Sequence, residues 1–224
     1  MKKSLGILSG LFMVGCVAAF GSDADFVTYT NLSGTGLGGT LCVNGYTGTN
    51  TALTIPSEIN GVSVTAVGIF LNSNISVVTV PASVLALYGL YGDPNLKTVY
   101  FMSNAPALPR MIHNIWDGFD GSHPTVCYMP STTGFGEFIN PDPGLTYTVV
   151  EWDARAAIQQ TSTGACVTVT GNTNLSAVCV YACTNLANPN WTPITSTLSL
   201  ASGPVTFTDT NPPPMRFYSV GWPQ

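Results

Sequence analysis

The sequence predicts a mainly β protein: a short leucine-rich-repeat-like solenoid of stacked coils followed by a small antiparallel β-domain. Three observations predict it. Only 8% of the 224 residues are charged while 45% are hydrophobic, and 23 Gly and 16 Pro mark frequent turns. Long amphipathic helices need many Ala, Glu, Lys and Leu positions, which such a chain lacks. The stretch that begins at Leu53 matches itself when slid along the chain until Val78 falls on Val99. From Ala165 onward, short alternating or β-branched runs are separated by turns.

Residues 1–21 read as a secretory signal peptide, with a basic end, an apolar run and small residues after it. The run is too short for a dependable bilayer span, so no transmembrane span is expected in the mature chain. Two endings compete. Met13-Val14-Gly15-Cys16 resembles a bacterial lipobox, in which Cys16 would be lipidated as the anchor of an outer-membrane lipoprotein. The other ending is ordinary cleavage near Val17–Ala19 or Ala19–Gly21. Either one implies a secreted or cell-surface protein.

Residues 22–52 hold the β-prone runs FVTYT and TLCVNGY between Gly-rich turns, which suits a β-hairpin N-terminal cap. Residues 53–145 form the solenoid, of about three coils. In the self-match Gly68 falls on Gly89, Phe70 on Tyr91, Asn74 on Asn95, Ile75 on Leu96, Val78 on Val99 and Val80 on Phe101. In the same frame Val64 falls on Leu85 and Ala66 on Leu87. A period in the low twenties is the signature of a leucine-rich-repeat-like solenoid, because one coil of that length cannot bury its own apolar face. PTVCYMP (124–130) echoes KTVYF (97–101) as a degenerate third copy, with a short turn or helix between them on the convex side. Residues 146–164 read as one strand, TYTVVEW, and a neutral linker. Residues 165–224 read as the antiparallel domain, with Trp191, Phe207, Phe217 and Tyr218 as core anchors.

The units LTIPSEINGVSVTAVG, ISVVTVPASV and NLKTVYF resemble the BspA-type leucine-rich repeat of bacterial surface proteins. NAPALP and TVCYMPSTTGFGEF resemble that family's usual last repeat, with Phe135 where Trp is usual. SVLALYGLYGDP departs from the pattern, so the second coil is expected to be irregular. The C-terminal ACTNLANPNWTPI and FTDTNPPPMRFYSV look like the small β-domain of verrucomicrobial and planctomycete-type exported proteins. The resemblance implies a secreted or surface-displayed scaffold for adhesion and protein binding. It carries no catalytic residues.

Chemistry-bearing residues are few. Four basic residues beyond the leader, Lys97, Arg110, Arg155 and Arg216, form no run, which argues against a nucleic-acid partner. His113, Asp117, Asp120 and His123 cluster in MIHNIWDGFDGSH, but their spacing fits neither a helical His pair nor a calcium loop. DGFDG is an ordinary turn sequence, so these four are weak metal candidates and the expected reading is no metal and no cofactor. Ser122-His123 and Cys127 lack the partners of a nucleophilic site, and the pairs Asp117/Asp120 and Glu151/Asp153 come with no evident cleft. No catalytic activity is therefore expected.

Five cysteines follow the leader: Cys42, Cys127, Cys166, Cys179 and Cys183. Cys179 and Cys183 on one strand would stand about 13 Å apart and cannot pair, whereas Cys166 with Cys179 across a hairpin is open. The candidate binding face consists of the polar strand positions Thr54, Thr79, Thr98, Tyr100 and Tyr128, with Trp116 and Phe135 more in keeping with packing. Three functions stand side by side: a recognition or adhesion scaffold for a protein or glycan ligand, a glycan-binding accessory of an exported carbohydrate-active enzyme, and a degenerate repeat with a structural role only.

Overall fold

The computed structural model describes residues 22–31, 37–68, 74–87, 95–106, 124–135, 148–210, 212–213 and 215–223. The chain divides into two compact units, one ending at Glu151 and one spanning Trp152–Pro223.

The first unit is a β-solenoid built on two sheets. A 3-10 turn, Asp23–Asp25, opens it, and the Ser22 amide donates to Asp25 Oδ2 at 2.8 Å. β1 (Phe26–Thr30) and β2 (Leu41–Tyr46) form an antiparallel hairpin with a bulge at Val27/Thr28. β3 (Ala52–Thr54) leads to β4 (Glu58–Ile59), which turns back on β5 (Val62–Val67). The connecting Asn60-Gly61 has φ of 51° and 77°, the two positive angles that a tight hairpin turn requires. β6 (Val77–Val80), β7 (Ala86–Leu87), β8 (Thr98–Phe101), β9 (Thr125–Tyr128) and β10 (Val149–Glu151) complete the unit. One sheet joins β1, β2, β5 and β7; the other runs β10-β9-β8-β6-β3, all parallel.

The parallel register is the self-match of the sequence made physical. Leu53, Val78, Val99, Val126 and Val149 stand opposite one another on successive strands. Their spacing along the chain is uneven, shortest from Val78 to Val99 and longest from Val99 to Val126. Val78 meets Val99 as the self-match requires, and Ile75 and Leu96, related by the same shift, are both buried. The core between the sheets gathers Leu53, Val78, Val99 and Val126 from one and Val43, Val64, Val67 and Leu87 from the other. Each such burial contributes roughly 1.5–3 kcal/mol, so successive coils stabilise one another.

The structure corrects several expectations. The self-match put Ala66 on Leu87 and Val64 on Leu85, but Ala66 pairs with Ala86 and Val67 with Leu87. The first sheet therefore advances by one residue fewer here than the second, and Leu85 is 54% exposed. The physical cause is an extra residue at Thr65, where the β2–β5 register slips. The Thr65 carbonyl accepts from the Leu85 amide at 2.8 Å. The alternation of helix and strand typical of leucine-rich repeats is not seen among the described residues. The short turn or helix expected on the convex side lies outside the described residues, as does the leader. β10 joins the solenoid sheet beside β9.

The second unit holds separate antiparallel sheets. Its strands are β11 (Arg155–Thr161), β12 (Gly164–Thr170), β13 (Cys179–Cys183), β14 (Thr192–Pro193), β15 (Val205–Asp209) and β16 (Phe217–Gly221). They form two three-stranded sheets, β11-β12-β15 and β14-β13-β16. Arg155–Thr161, expected as linker, is thus a full strand that pairs with β12 along its length. Its composition, RAAIQQT, hides it: Ala and Gln are weak β-formers, and an edge strand needs little apolar signal. TSTLSLASG supplies only a bridge between Val178 and Leu198. β12 alternates as expected, with Val167 and Val169 buried and Cys166 and Thr168 partly exposed. Trp191 and Tyr218 are buried anchors, while Phe207 and Phe217 are only partly buried. Trp152 and Trp222 meet edge-to-face at 5.8 Å and tie the two ends of this unit together.

Candidate functional site

The parallel sheet places four of the predicted binding residues in two register rows, while Tyr128 stands opposite Phe101 on the core-facing side. Thr54, Thr79, Tyr100, Cys127 and Val150 stand opposite one another in the first. Val77, Thr98 and Thr125 stand in the second. Leu53, Val78, Val99 and Val126 point to the core, so alternation turns both rows to the opposite face of the sheet.

That face is not open. Thr79 is 3% exposed, and Thr98 and Tyr100 are 0% exposed, so these three are corrected from surface to interior. Thr54 and Tyr128 are partly buried. Tyr128 packs against the core, stacked on Phe135 at 4.8 Å, and Phe135 also meets Phe101 at 5.4 Å. Phe135 is thus a packing residue; Trp116 lies outside the described residues. The physical reason was present in the chain. VVTV and TVYF are near-continuous apolar runs, the pattern of parallel strands covered on both faces. Reading each Thr as solvent-facing gave too much weight to one polar residue among apolar ones.

The buried row carries a polar cost. Thr54 Oγ1 and Thr79 Oγ1 are buried without a hydrogen-bond partner. Each unsatisfied hydroxyl costs about 1–3 kcal/mol. In the same row, burial pushes the Cys127 thiol up to about 12, which leaves it protonated and unreactive at neutral pH.

The remaining cysteines are also free thiols: Cys42, Cys166, Cys179 and Cys183. Cys166 and Cys179 lie on strands of different sheets, so the open hairpin pairing is not made. Cys179 and Cys183 sit at the two ends of β13 in a cluster with Tyr181 and Trp191. Burial raises the Cys179 thiol, partly offset by hydrogen bonds with Thr197 and Tyr181. Burial likewise raises Cys42, partly offset by a hydrogen bond with Tyr29.

The weak metal candidates His113, Asp117, Asp120 and His123 lie outside the described residues, as does Cys16. Among the described residues no group of three His, Cys, Asp or Glu side chains converges to hold a metal ion. No helix among them is long and apolar enough to cross a membrane.

Two features escaped the sequence reading. The first is the outer side of β1. Phe26 packs inward on Tyr46, while Val27 and Tyr29 are 49% and 47% exposed. Tyr29 stands opposite Cys42, and a side-chain hydrogen bond joins the two. The second is a charged corner in the second unit. Asp209 Oδ2 accepts from Arg216 Nη1 at 2.7 Å and from the Tyr218 hydroxyl at 2.9 Å. Burial, and then the Asp209 hydrogen bond and charge, push the Tyr218 phenol up to about 12. Two opposite charges flanking a Pro-rich turn in so uncharged a chain were the available signal.

No protein-family profile, curated protein or solved structure matches this chain. What the fold itself shows is a β-solenoid of a few turns and, as a separate unit, antiparallel sheets.

Proposed function

We propose that this protein is a non-catalytic recognition scaffold that works outside the cell, secreted or displayed at the surface, and binds a protein or glycan ligand. The observation that carries this reading is the pair Val27 and Tyr29 on the open side of β1. An exposed Tyr offers large contact area at low entropy cost. The BspA-type repeat is the finer assignment that the LTIP, VTVP and NAPALP units support. The leader-like start supports export, with Cys16 or a residue near Phe20 as the mature end.

A glycan array and a protein pull-down on the exported chain test this reading. The expected result is a ligand whose affinity falls roughly thirtyfold in Tyr29→Ala, the effect of losing an interfacial aromatic anchor. No ligand above background in either assay would refute it. A ligand confined to the array would identify the partner as a glycan. Mass spectrometry of the native N-terminus separates lipidated Cys16 from plain cleavage.

The structural-only reading has one observation in its favour. The polar row that a ligand-binding solenoid would expose, Thr79, Thr98 and Tyr100, is buried.

A further inference from the structure

The sequence holds two Asn-Gly pairs, Asn44-Gly45 and Asn60-Gly61, and the fold treats them oppositely. Glycine has no Cβ, so nothing beside its amide nitrogen blocks the carboxamide of the preceding Asn. That nitrogen can close a five-membered ring on the Asn Cγ wherever the backbone is free to bring the two together. Asn44-Gly45 is held. It lies within β2, where Gly45 pairs with Val27 and the Asn44 carboxamide lies over Gly68. Ring closure there needs the β1–β2 hairpin to open first. Asn60-Gly61 is the whole of the connection between β4 and β5, and both residues are exposed. Among the described residues no hydrogen bond engages the Gly61 amide.

The exposed turn also carries a tether. The Asn60 amide donates to Asp23 Oδ2 at 3.0 Å, which ties the 3-10 turn Asp23–Asp25 to the first coil. The Glu58 carboxylate, on the same hairpin, lies beside Gly61. A negative charge created at position 60 would therefore meet two carboxylates. The residue before the turn, Ile59, is buried in the solenoid core, so the turn starts from a fixed point.

We propose that Asn60 is a self-modifying site whose deamidation releases the N-terminal turn from the first coil. The Gly61 amide nitrogen attacks Asn60 Cγ, a C–N bond forms, and the carboxamide C–N bond breaks. Ammonia leaves with the amide proton, and no electrons change hands. Water then opens the succinimide at either carbonyl, giving an aspartyl or an isoaspartyl residue. The aspartyl product sets a carboxylate against Asp23 and Glu58. The isoaspartyl product adds a main-chain carbon to a turn that has room for two residues. Each of them weakens the hold of the position 60 amide on Asp23.

Peptide mapping by mass spectrometry, on the full chain aged in mildly alkaline buffer, tests the site. The Asn60 peptide should gain one mass unit, in chromatographically separate aspartyl and isoaspartyl forms, at least about tenfold faster than the Asn44 peptide. In denaturant the two pairs should react at similar rates, which assigns the difference to the fold. Hydrogen exchange tests the release. The Asp25 amide, which donates to the Ser22 carbonyl at 2.7 Å, should exchange at least about threefold faster in Asn60→Asp and in the aged wild type. Asn60→Gly keeps the amide donor, suits the positive φ and adds no charge, so it should exchange as the fresh wild type does. An Asn60 peptide of unchanged mass, an Asn44 peptide that reacts as fast in the folded chain, or unequal rates in denaturant would each overturn the site. Unchanged Asp25 exchange in both Asn60→Asp and the aged chain, or an equal rise in Asn60→Gly, would overturn the release.

Discussion

The two units solve the same problem, burying apolar strands, with opposite use of the chain. In the solenoid each parallel strand meets its partner a full coil away, as Val78 meets Val99, and the hydroxyls of Thr54 and Thr79 are buried with no partner. In the second unit β11 and β12 are joined by a short turn at Ser162-Thr163, and Asp209 accepts from both Arg216 and Tyr218, while Arg216 Nε is buried without a partner. Parallel coils satisfy the backbone through their neighbours but leave side-chain hydroxyls to whatever lies beyond the sheet. In the second unit a short connection between two sheets returns Arg216 and Tyr218 to Asp209. A Thr on a solenoid strand is therefore no sign of solvent, and the Asp209–Arg216 pair sits where a turn can bring its members together.

Removing a rung of the solenoid should have the largest effect. Phe101→Ala deletes a ring that is 1% exposed and packed on Phe135, and is expected to cost about 3–5 kcal/mol in urea unfolding. Next in size is the charged corner. Asp209→Asn leaves Arg216 and Tyr218 with a weaker acceptor and should cost about 2 kcal/mol in the same measurement. A smaller change of opposite sign is expected in the solenoid. Thr79→Val keeps the shape and removes an unpartnered hydroxyl, so it should be neutral or stabilising by about 1 kcal/mol. A destabilised Thr79→Val would show that the hydroxyl has a partner, and the contrast between the units would fall.

The last effect is confined to alkaline pH. The Tyr218 phenol is raised from an ordinary value of 10 to about 12 in the folded chain. Its contribution is present below pH 10, where both states hold the proton, and is lost as pH rises through about 12. Thermal melting of Tyr218→Phe should therefore fall less steeply than wild type between pH 10 and 12. Parallel curves would show that Tyr218 titrates normally.

The solenoid was legible because stacking needs apolar residues at fixed intervals, and Val78 over Val99 satisfies that need at the interval the self-match found. Its first sheet was misread by one residue because a bulge at Thr65 leaves no mark on composition. β11 was missed since Ala and Gln on an edge strand look like linker. The candidate face failed for a different reason. Alternation decides that Thr79 and Tyr100 point away from the core, but exposure depends on what else packs there.

What local spacing controls could be read from the chain directly: a β-rich composition, stacked coils with a period in the low twenties, and a change to antiparallel runs in the last third. What distant neighbours control emerged only on folding. The assembled fold buried the hydroxyl row, left the five described thiols unpaired, gathered Asp209, Arg216 and Tyr218 into one corner, and left Val27 and Tyr29 exposed. Periodicity is set by the backbone geometry of successive residues, whereas burial is a property of the whole fold, which no single strand encodes.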